Sequence, residues 1–175
     1  MSPSRPNRRR VTAVACCVLF LVAASCATSP SGGGGPAPTS CPAKGAGQIQ
    51  VAVVVDMTAF GAAPNSTCVV VASGSNGMAA LAARAQLIGA PPPRYAANGL
   101  LCAIDGIPLA PACGQNGPDG PEYWAYYLGG ASWTYSTVGP GLRGLTDGAV
   151  DGWRFIAGGA NQPPDMPSSF VDLTT

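Results

Sequence analysis

The chain predicts an α+β fold, a small mixed sheet with one helix packed on it. Three observations carry this. Ile49–Met57 and Thr67–Ser73 are β-branched, nearly unbroken apolar runs, which read as strands. Ser75–Gly89 is the one good helical segment, filled with alanine. Glu122–Ser136 gathers two Trp and four Tyr around a Gly-Gly pair, the signal of an aromatic hairpin. The order strand, strand, helix, strand, hairpin, strand leaves one face of the sheet covered and the other partly free.

The segment before the domain is read as an export signal. Arg5, Arg8, Arg9 and Arg10 precede an uncharged apolar run from Val11 to Ser25. The run ends in "VAASC", which resembles a bacterial lipobox, so residues 1–26 are expected to be a signal peptide lipidated at Cys26. Plain cleavage near Ala27 is the alternative. Residues 27–47 are rich in Gly, Pro and Ser and predict a flexible tether, with a reach of about 25 Å for a coil of that kind. With residues 1–25 removed, five cations face eight acids, a net charge of −3. No basic cluster remains, which argues against nucleic-acid binding. Four cysteines, Cys41, Cys68, Cys102 and Cys113, would stand in an oxidising compartment. Of their three pairings, Cys102–Cys113 with Cys41–Cys68 closes the most modest loops.

The domain is expected over residues 48–157. Thr58–Ser66 connects the first two strands through Gly61, Pro64 and Asn65. Ser75 or Asn76 can cap the helix, and Gly89 with Pro91–Pro93 ends it. Met78, Leu81, Ala82, Ala85 and Ile88 fall on one side at helical spacing and predict the packed face. Leu100–Ile104 reads as a short strand entering an Asp105-Gly106 turn. If Gly129-Gly130 is a two-residue loop, Leu128 pairs with Ala131, Tyr126 faces Trp133 and Trp124 faces Tyr135. Those four rings then share one face. Tyr123, Ala125 and Tyr127 take the other, against Ser132, Thr134 and Ser136. "GAVDGWRF" gives the last strand, with Ala149, Asp151, Trp153 and Phe155 on one side. Residues 158–175 return to loop composition and are expected to be a flexible tail.

"VAVVVD", the Cys68 strand, "LLCAIDGIP", "YWAYYL", "WTYSTVG" and "DGWRF" occur in the order of the transcobalamin-like carboxy-terminal domain family, which the chain resembles over about residues 49–156. The resemblance implies a β-grasp-like module. In the family's carriers such a module closes over a corrinoid with a second domain; many of its bacterial members are uncharacterised exported lipoproteins.

The function expected is therefore that of a non-enzymatic, exported lipoprotein on the outer face of the plasma membrane, or a freely secreted protein. Its aromatic face (Trp124, Tyr126, Trp133, Tyr135 and Trp153) would hold a small flat ligand, corrinoid-like or other. The same rings also suit a core under the helix. Arg154 would stack on a ring, pair near Asp151 or meet an anionic ligand. The alternative is a protein-interaction module, such as an accessory subunit of a membrane transporter, or an exported protease inhibitor presenting loop 103–112. Catalysis is not expected. The chain has no His, no GxSxG elbow and no zinc-ligand spacing, so no metal or cofactor is expected either. Asp56, Asp105, Asp147 and Asp151 read as turn and surface residues. Gly139–Gly144 matches GxGxxG literally but contains Pro140 and reads as a loop.

Overall fold

The computed structural model describes residues 39–174. Cys26, the expected signal and most of the expected tether lie outside them. Strand β1 (Gln48–Asp56) is an interior strand of the sheet, followed by a 3-10 turn (Thr58–Phe60) and β2 (Asn65–Ala72). Helix α1 (Gly77–Ile88) follows, then β3 (Arg94–Tyr95), β4 (Leu101–Ala103), β5 (Gln115–Gly117), β6 (Gly120–Leu128), β7 (Thr134–Tyr135), β8 (Ala149–Ala157) and the short helix α2 (Phe170–Thr174). Six strands form one sheet in the order β2-β1-β8-β6-β5, with β7 paired to β6, while β3 and β4 pair separately. The first and last strands, β1 and β8, are parallel neighbours, and every other pair is antiparallel. This is the α+β, β-grasp-like sheet with a helix on it that the sequence predicts.

Strand alternation sorts the core. Val51, Val53 and Val55 of β1 face α1 with Trp124, Tyr126, Trp153 and Phe155. Ala52, Val54 and Val150 face the other way. Asn76 caps α1, its side chain accepting from the Ala79 amide at 3.1 Å, and Gly89 closes it in the left-handed region at φ 68°. The buried side of α1 is Gly77, Ala80, Leu81, Arg84 and Ala85, not the expected face carrying Met78, Ala82 and Ile88. Alanines give little periodic signal, and Arg84 turns the helix inward. Its Nη1 donates to Asp105 at 2.8 Å and its Nη2 to Asn65 at 2.9 Å, so this cation is buried by its partners.

The cysteines pair as Cys41–Cys68 and Cys102–Cys113, with Cα separations of 5.0 and 4.2 Å. The first bridge extends the domain before residue 48, because Thr39 also bonds to Ser66 and Leu173.

The segment expected to be a free tail lies instead across the second face of the sheet. Met166, Phe170 and Leu173 pack on Ala52, Val54 and Val150, and Leu173 is only 2% exposed. Those three apolar residues close a face that would otherwise meet water. Among the described residues, no helix is long and apolar enough to cross a membrane.

Candidate functional site

The six residues proposed as a ligand-binding set divide between the two faces. Trp124, Tyr126 and Trp153 lie together on the helix side, where Tyr126 stacks on Trp153 at 5.1 Å and Trp124 meets Phe155 edge-on at 5.5 Å. Trp133 is on the opposite face. Its ring covers Gly152 so closely that a Cβ there would stand 2.6 Å from it, and its Nε1 donates to the Met166 carbonyl at 2.8 Å. Tyr135 pairs with Tyr127, so its ring meets Tyr127 rather than Trp124.

The expected hairpin register is therefore corrected: Tyr127 faces Tyr135 and Leu128 faces Thr134. The reason lies in the glycines. Neither takes a positive φ. The Gly129 amide donates to Val150 at 2.9 Å and the Gly130 amide to Ser168 at 2.8 Å. A Cβ on Gly129 would collide with the Ser168 carbonyl and the Val150 side chain. The pair serves close approach of the C-terminal segment, and the chain turns only after it.

Above the three helix-side rings opens a depression of about 430 Å³. Asn98–Leu101 form one wall and Ser136–Pro140 the other. The floor is recessed, with Trp124 4%, Tyr126 7% and Trp153 0% exposed. At the rim, solvent reaches Leu100, Val138, Asn98 and Thr137, while the Tyr135 side chain turns to Tyr127 on the second face. Trp124 Nε1 donates to the Ile107 carbonyl at 3.2 Å, whereas the buried Trp153 Nε1 has no hydrogen-bond partner among the described residues.

Behind the floor lies Asp151, fully buried rather than at a turn or surface. The Tyr126 hydroxyl donates to its Oδ2 at 2.7 Å. Its Oδ1 accepts no hydrogen bond, and Arg143 Nε, 3.8 Å away, is buried without a partner too. Burial pushes the Asp151 carboxyl up to about 6, partly offset by Tyr126 and Arg143. Burial, with the neighbouring Asp151, pushes the Tyr126 hydroxyl well above its ordinary range. Gly77 opens α1 against this pair, and a Cβ there would come within 2.8 Å of both Asp151 Oδ2 and the Tyr126 hydroxyl. Tyr126 reaches Asp151 from 25 residues away, and Arg143 reaches it across an irregular loop, so no regular spacing announces the cluster.

Arg154 is remote from Asp151. On the second face its Nη1 donates to the Pro163 carbonyl at 2.7 Å and lies 3.5 Å from the buried Asp56. It borders a separate cleft of about 380 Å³ with Thr58, Ala59 and residues 155–160. Asp56 is likewise buried rather than superficial, accepting from Thr58 N, Thr58 Oγ1 and Asp165 N at 3.0, 2.7 and 2.9 Å. Asp105 and Asp147 do sit at turns; Asp147 bonds the Gln50 amide at 2.9 Å and the Lys44 ammonium. Loop 103–112 is a closed structure: Arg94 donates to the Pro108 and Ala112 carbonyls, and the Ala112 amide to Leu109. Among the described residues, no three His, Cys, Asp or Glu side chains group as metal ligands.

The model of the SCO2322-like domain matches residues 119–175, the stretch that runs from β6 through β8 to the C-terminal segment. No curated protein matches the chain.

Proposed function

We propose that the chain is an exported, non-enzymatic lipoprotein, anchored through Cys26 outside the plasma membrane, whose transcobalamin-like domain binds a small flat ligand. The observation that carries the reading is the depression of about 430 Å³, a size at which small-molecule sites occur, with Leu100 and Val138 beside Asn98 and Thr137 at its rim over three packed rings. The two disulfides support an oxidising compartment. Ligand contact falls first on Leu100 and Val138, since the floor rings are nearly covered and the Tyr135 ring lies against Tyr127. Trp133 and Arg154 have no part in it, being on the second face.

The test is a screen of flat ligands, corrinoids and haem included, read by quenching of Trp fluorescence in the full chain. Saturable quenching by one class, weakened at least tenfold in Val138→Asp, supports the site. Absence of quenching across the panel removes it. Cys26→Ala is expected to move the protein from the membrane fraction to the medium; retention on the membrane would remove the lipid anchor.

A second reading, docking of a partner protein, is favoured by Leu109 and Leu142, which are 80% and 84% exposed on tight turns. Reproducible co-purification lost in Leu142→Asp would favour it over a small ligand.

A further inference from the structure

The wall of the depression and the buried carboxylate behind its floor belong to one connected segment. Ser136 is fixed to the sheet, its amide donating to the Tyr126 carbonyl at 2.9 Å. Asn76 Nδ2 holds the Gly141 carbonyl at 3.1 Å, and the Leu145 amide donates to Ser75 at 3.0 Å. Between these points run Thr137–Pro140, which line the depression, and Arg143, whose Nε lies 3.8 Å from Asp151. Tyr126 satisfies one carboxylate oxygen; the other has no hydrogen bond. The groups facing Asp151 are Tyr126 from β6, Arg143 from the wall, and Gly77 from α1, whose first turn carries no acidic residue. Leu128 and Val53, its neighbours across the sheet, are apolar.

We propose that Asp151 is a proton-controlled catch for the wall at residues 137–145: protonated, it lets the wall seat, and ionised, it drives the wall outward until water reaches Oδ1. The sign follows from what each state offers the carboxylate. Seated, the charge has one hydroxyl donor and a guanidinium nitrogen too distant to bond. Lifted, it gains solvent on the open oxygen, and Arg143 Nε gains solvent as well. Burial outweighs the attraction of Arg143, so deprotonation favours the open state. The inference rests on the depression being a ligand site; it would make access to that site depend on pH, wider in neutral than in acid surroundings.

Hydrogen exchange of the full chain without ligand tests the catch. The Leu142 amide, bonded to Gly139, and the Leu145 amide, bonded to Ser75, are the reporters. Their protection, corrected for intrinsic rates, is expected to fall about tenfold from pH 5 to pH 7.5. Amides of Val51–Val55 should not change over that range, and Asp151→Asn should remove the pH effect. Equal protection at both pH values, or the same fall in Asp151→Asn, overturns the proposal. Trypsin at pH 8 gives a second readout, at the Arg143–Gly144 bond. Asp151→Asn should be cut there several-fold more slowly than wild type; equal or faster cutting would mean that ionised Asp151 holds the wall shut. Because no ligand is present, failure here leaves the quenching screen unaffected, and failure of the screen leaves this result standing.

Discussion

Two aspartates, one on each face of the sheet, are both wholly buried and both lie near an arginine, yet their surroundings differ. Asp56, on the side of the C-terminal segment, accepts three hydrogen bonds, two of them from backbone amides at Thr58 and Asp165. Asp151, on the helix side, accepts one, from Tyr126. Backbone donors are fixed by the fold, so the Asp56 region is a sealed structural joint. The Asp151 region leaves an acceptor unmet beside the wall of a depression. Burial alone therefore does not distinguish the two carboxylates; the count of fixed donors does.

The largest effect that separates them is expected at the joint. Asp56→Ala strands two amides and a hydroxyl and leaves the Arg154 guanidinium without its carboxylate. It should cost about 4 kcal/mol in urea unfolding, the scale for breaking one side of a buried ion pair. A midpoint within error of wild type would mean that Asp56 does not anchor the C-terminal segment.

Asp151→Asn should act in the opposite sense, and only above a certain pH. The folded carboxyl, held near 6, stands above its ordinary value of 3.8. Its stabilising contribution is therefore complete below 3.8 and is lost as pH rises through 6. Measured against Asp151→Asn, wild-type stability should fall by about 3 kcal/mol over that window and level off above it. A difference that stays flat with pH would erase the contrast between the two faces.

The sequence disclosed one of these regions far better than the other. β1, β2, α1 and β8 follow from β-branched runs, an alanine segment and its cap, because local propensity and tertiary role agree there. Trp124, Tyr126 and Trp153 share a face because alternation along a strand is a local rule. The second face was hidden. Gly129-Gly130 carries the composition of a tight turn, but its small size is used against Ser168, a contact across 38 to 39 residues that no local pattern reports. Met166, Phe170 and Leu173 stand among prolines and serines, so their apolar spacing is diluted below what periodicity detects. Asp56 and Asp151 read as surface residues because the partners that bury them, Asp165 and Tyr126, lie 109 and 25 residues away, and Arg143 reaches Asp151 from an irregular loop without periodic spacing.

Smaller effects probe how firmly the sealed side is held. Leu173 is 2% exposed against Ala52, Val54 and Val150, so Leu173→Ala should cost about 2.5 kcal/mol. The same loss should leave the protection of Leu142 and Leu145 unchanged, since those amides report the other face. A cost near zero would return the segment to the free tail that its composition predicts.

The smallest effect is the most local. Trp133→Phe keeps a ring over Gly152 but removes the Nε1 donor to Met166, and should cost about 1 kcal/mol, the net worth of one hydrogen bond. Exchange should rise in Met166–Ser168 and nowhere on the helix side. This decides between the two positions available to the indole. On the helix side, opposite Tyr126 as a two-residue hairpin would place it, the substitution would disturb the floor of the depression and leave Met166 untouched. Seated on Gly152, it loosens the C-terminal segment and spares the floor. Unchanged exchange at Met166–Ser168 would take Trp133 away from the second face and, with it, the reason why Gly152 has no side chain.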